Sequence, residues 1–99
     1  MASPELLAAV DAFIAARVAR AAFNQATLAA AETAAVNAST ALIAKVVSAV
    51  NGAACATQLD TYVAASRTRN ALQNQWGDLQ KAYDAAYASV REQIQVDAG

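Results

Sequence analysis

Between Glu5 and Val50 the chain contains neither Gly nor Pro. Alanine, the residue with the best intrinsic helix propensity, dominates that stretch. The stretch opens on Ser3-Pro4-Glu5. Ser3 can cap orphan amides, Pro4 suits the first helical position, and Glu5 places an anion where the helix dipole favours one. It closes on Asn51-Gly52, the one Asn-Gly pair in the chain, and both residues tolerate the left-handed conformation that ends many helices. A single helix of roughly 45 residues, about 70 Å long, fits between these signals.

A second helical pattern follows the Asn-Gly pair. Thr57-Gln58-Leu59-Asp60 has the shape of a capping box, and from Leu72 to Val90 the apolar residues alternate spacings of four and three, as in a coiled-coil seam. The expected architecture is all-α, a long antiparallel helical hairpin within one domain of residues 1–99. Its helices cover about 4–50 and about 57–96, with a turn at about 51–56. Cap-type residues at Asn24-Gln25-Ala26-Thr27 and at Asn37-Ala38-Ser39-Thr40 mark two places where the first helix can break. Gly77, within the second helix, marks a bend or a close approach of another backbone. A turn at Asn51-Gly52 sets Leu28 opposite Trp76, Ala21 opposite Tyr83 and Ile14 opposite Val90, large residues against small ones.

The larger apolar residues of the first arm follow a helical stripe through Leu7, Val10, Ile14, Val18, Leu28, Val36, Ile43, Val46 or Val47, and Val50. Leu6, Phe13 and Phe23 lie off it, so the arm is apolar all round, a pattern that belongs to helices covered on more than one side. Six of the fifteen charged residues precede Gly52, which leaves the second arm as the better solvated one. A two-helix hairpin covers one side of its first arm, and a second copy of the chain is the simplest cover for the rest. Leu6, Phe13, Phe23, Leu28, Trp76, Tyr83 and Tyr87 are the expected self-association residues. Glu32, on the apolar stripe, is expected to meet Arg69 as a polar contact that fixes register.

Several function classes are disfavoured. The net charge of −1 supplies no cationic face for nucleic acid. With no His and one Cys, Cys55, ordinary zinc and haem sites are not expected, and no cofactor or metal is assigned. Cys55 reads as a small buried hydrophobe, with an intermolecular disulfide as the alternative. No Ser–His or Cys–His pair and no phosphate loop is present, so no catalytic residue is assigned and enzyme activity is not expected. The N-terminus lacks the positive region of a signal peptide. The most apolar window, residues 34–56, is interrupted by Asn37, Ser39, Thr40, Lys45, Ser48 and Asn51, so no integral membrane segment is expected. The location is left open, with a cytoplasmic or particle-associated one as the expectation.

The chain resembles the WXG100 hairpin proteins of type VII secretion in length and arm layout. Their Trp-x-Gly motif lies in the turn, whereas Trp76-Gly77 has no intervening residue and lies in the second arm. Its alanine-rich helices are similar in composition to phasins. The leading expectation is a non-enzymatic structural or assembly subunit that forms a homo-oligomer, such as a small phage or viral particle component. The alternative is a helical adaptor or chaperone that binds an amphipathic partner helix, or a WXG100-like secreted hairpin.

Overall fold

A computed structural model describes residues 1–99. The protein is all-α: α1 spans Pro4–Ala21, α2 spans Gln25–Ser48, a short 3₁₀ turn spans Gly52–Cys55, and α3 spans Ala56–Asp97. The chain forms two compact units. One comprises Met1–Phe23 with Gln75–Gly99, and the other comprises Asn24–Asn74.

The continuous first helix expected over about 4–50 is replaced by α1 and α2. The break falls at the first of the two cap-type stretches. Asn24 adopts an extended conformation and its Oδ1 accepts from the amides of Ala26 at 3.0 Å and Thr27 at 3.3 Å. A short polar side chain thereby satisfies two of the orphan donors that open α2. Asn37-Ala38-Ser39-Thr40 runs on inside α2 without interruption. The two stretches differ in what precedes them. Before Asn24, the amide of Phe23 donates to Arg20 O, a tightened last turn that closes α1.

The α2-to-α3 connection avoids the left-handed conformation. No non-glycine residue has positive φ, and among the glycines only Gly99 does, so Asn51 and Gly52 do not end α2 in the expected way. Ala49 leaves the helix extended, with ψ 145°. Asn51, also extended, then caps the 3₁₀ turn by accepting from the Ala54 amide at 3.1 Å. α3 starts at Ala56, one residue before the capping-box sequence, and Cys55 is buried at the junction. Gly77 lies within α3, and a Cβ built there meets nothing within 4 Å, so within the chain it does not mark a close backbone approach.

In the unit of Asn24–Asn74, the buried side chains are Leu28, Ala31, Ala35, Ala38 and Cys55. Ala35 is 1% exposed, which a helical residue reaches only when another element lies directly on it. The half-buried residues supplied by the first part of α3 are Gln58, Tyr62, Ala65, Ser66, Arg69 and Leu72. Their side chains are mostly longer than the alanines of α2. Asn24→Ala should cost about 1 kcal/mol by removing a cap. Asn37→Ala, in an exposed helix interior, should be neutral or stabilise by up to about 0.5 kcal/mol. Urea denaturation of the two variants against the parent chain measures the difference.

Candidate functional site

In the unit of Met1–Phe23 with Gln75–Gly99, α1 and the end of α3 run in opposite directions. The Ser3 amide donates to Asp97 Oδ2 at 3.0 Å, while Phe23 stacks on Trp76 with ring centroids 5.2 Å apart. Between these ends, Phe13 sits against both Tyr83 (5.1 Å, 54° between planes) and Tyr87 (5.6 Å, 58°). Tilted rings at these distances place the positive edge of one over the negative face of another. The Arg20 guanidinium lies 3.5 Å from the Tyr83 ring centroid, a cation–π contact between the Phe13 cluster and the Phe23–Trp76 stack. Arg20 also belongs to the last turn of α1, where a cation complements the helix dipole.

Within this unit Trp76 meets Phe23, and Tyr83 meets Phe13 and Arg20, the residue beside the expected Ala21. The inward face of α1 is not the expected one. Leu6, Phe13 and Phe23 are half-buried, whereas Leu7, Ile14 and Val18 are exposed. Phe buries more surface than a branched aliphatic residue, so the face bearing two Phe residues is the one that turns inward.

A hydrogen-bonded latch closes the free end of this unit. Ser3 Oγ accepts from the Leu6 amide at 3.1 Å and donates to Asp97 Oδ1 at 2.9 Å. Gln93 adds a donor to the same carboxylate oxygen at 3.2 Å. An aspartate at the end of α3 is unfavourable for that helix's own dipole, but here it lies against the positive N-terminus of α1. The Ser3 amide, followed by the Ser3 hydroxyl and Gln93, holds Asp97 below its ordinary value of 3.8.

The expected self-association residues are used largely within the chain. Leu6, Phe13, Phe23, Trp76 and Tyr83 are half-buried in the aromatic unit, Leu28 is buried in the other, and Tyr87 stays exposed. The expected polar contact is not formed by hydrogen bonding. Glu32 is exposed, and Arg69 Nε donates to Asn70 Oδ1 at 3.2 Å.

What remains uncovered is a second set of apolar residues. On α2, Val36 and Ile43 are each 63% exposed and Val47 is 83% exposed, in line with the smaller Ala29, Thr33 and Thr40. Thr40 Oγ1 donates to Val36 O at 3.0 Å, so its hydroxyl is satisfied inside the helix. This stripe was visible in the sequence as the apolar periodicity; what periodicity did not show is that it points outward.

Two surface grooves, one along Tyr62, Val63, Ser66, Arg67 and Asn70 and one along Ala88, Arg91, Glu92 and Gln95, are each lined by α3 alone. No group of three His, Cys, Asp or Glu residues is arranged to hold a metal ion. No helix is long and apolar enough to cross a membrane. Comparison with protein-family models, with curated proteins and with solved structures returns no match.

The latch predicts a pH signature. Because the folded-state pKa of Asp97 is depressed, its contribution is present above the unfolded value and is lost as pH falls through the folded one. In an NMR titration the Ser3 amide proton should shift with a midpoint below 3.8, and Asp97→Asn should abolish that transition.

Proposed function

We propose that the protein is a non-enzymatic structural or assembly subunit: a helical hairpin with coiled-coil-like packing that self-associates through its exposed aliphatic faces. The observation that carries this reading is the stripe of Val36, Ile43 and Val47 on α2, left bare while alanines fill the inward side. Burying each of these three residues to completion is worth about 1–2 kcal/mol at its present exposure. A symmetric interface uses the set twice, for a total of about 6–12 kcal/mol, against an association cost of about 4–15 kcal/mol. One stripe therefore supports a marginal complex. Leu7, Ile14 and Val18 on α1 are a further exposed set, and using both sets favours a larger assembly over an isolated pair. Low charge, fifteen charged residues in ninety-nine, limits repulsion between copies. A component of a phage or viral particle is the setting we favour for such a subunit.

A helical adaptor receiving one amphipathic partner helix is the second reading, since the same bare stripe would suit a foreign helix. Light scattering on the purified chain separates them. The assembly reading predicts a particle mass that is a multiple of 10.2 kDa. A monodisperse monomer with full helical signal would sink it, and a chain that aggregates alone yet is rescued by one partner would favour the adaptor.

A further inference from the structure

We propose that α1 opens from the end of α3 as a strap, pivoting between Phe23 and Asn24, while the unit of Asn24–Asn74 stays folded. Opening uncovers the ring faces of Trp76 and Tyr83.

Chain connectivity sets the order. The contacts that hold α1 all span the other unit: Ser3 to Asp97, 94 positions apart, Phe13 to Tyr83 and Tyr87, Arg20 to Tyr83, and Phe23 to Trp76. With Asn24–Asn74 unfolded, each of them would have to close a long flexible loop at an entropic cost. With it folded, that cost is already met. The reverse dependence is absent. The unit of Asn24–Asn74 contains its own turn, at Gly52–Cys55, and all five buried side chains, Leu28, Ala31, Ala35, Ala38 and Cys55. In the α1 unit the rings are half-buried, and Tyr87 is exposed. Contacts that water already reaches are the ones that open locally.

The link lets α1 leave without loosening α2. The amides of Ala22 and Phe23 donate backward, to Val18 O and Arg20 O. Asn24 turns both of its oxygens forward. Its carbonyl accepts from Thr27 at 3.2 Å and Leu28 at 3.4 Å, and its Oδ1 accepts from Ala26 and Thr27. These bonds stop at Phe23 on one side and start at Asn24 on the other, so α2 keeps its cap when α1 departs. The end of α3 does not survive the departure as well. A helix stripped of its tertiary packing loses most of its stability. Gly77, the one glycine of α3, weakens the helix close to the boundary of the unit. The end of α3 therefore frays with the strap.

Hydrogen exchange read by mass spectrometry tests this, peptide by peptide. In the parent chain, α1 and Leu79–Asp97 should exchange together, roughly tenfold or more faster than Leu28–Ala38. Phe13→Ala removes the ring that sits against Tyr83 and Tyr87. It should speed α1 and Leu79–Asp97 by a further factor of about ten and leave Leu28–Ala38 unchanged. The milder Asp97→Ala, which removes the latch to Ser3, should speed the same two segments severalfold and again spare Leu28–Ala38. Equal exchange of all three helices in the parent would overturn the proposal. So would a variant in which Leu28–Ala38 speeds as much as α1, or one in which α1 does not speed at all.

Discussion

The small size of the side chains on the inward face of α2 governs much else in this protein. Ala31, Ala35 and Ala38 let another element approach the helix closely, and Ala35 is almost wholly covered as a result. Yet an alanine removes little apolar surface from water. No large side chain in the molecule is fully buried. A chain organised in this way gains close backbone packing and strong helix propensity, and gains less from the hydrophobic effect than a core of leucines would. The branched residues that could have supplied that burial, Val36, Ile43 and Val47, stand outside. The proposed self-association follows from this division of labour.

The unit built from α1 and the end of α3 solves the same problem differently. Its inward face carries Phe13 and Phe23 against Trp76, Tyr83 and Tyr87. Rings of that size hold two helices together through few contacts. Polar groups add to their alignment: Arg20 over Tyr83 within the row, and Ser3 with Asp97 at its other end. Asp97 serves as the acidic partner that a capping box usually takes from its own helix. A charge at the end of α3 thereby becomes the cap of α1.

Much of the fold could be read in the residues. Ser3-Pro4-Glu5 does begin a helix, and the all-α class follows from alanine content and the scarcity of breakers. Asn24 was visible as one of two places for a break. Choosing between it and Asn37 required the side-chain oxygen to be seen on the Ala26 and Thr27 amides. Periodicity identified Leu7, Ile14, Val18, Val36 and Ile43 as one stripe, but a helix with apolar residues on every side has no unique inward face. The deciding quantities were three-dimensional: the area of the phenylalanines on α1 and the closeness that alanines permit on α2. The aromatic residues were singled out as residues of an interface between copies, and within the chain they contact one another across α1 and the end of α3. Asp97 gave no signal, because a capping partner from a distant helix leaves no local spacing to recognise.

The proposed self-association makes the protein's stability depend on contacts with further copies of itself. Thermal unfolding followed across a wide range of protein concentration tests it directly, because association that favours the folded state makes the midpoint depend on concentration. The account predicts a midpoint that rises steadily as the protein is concentrated. A midpoint that stays constant across the range, with a single cooperative transition of an isolated chain, would contradict it.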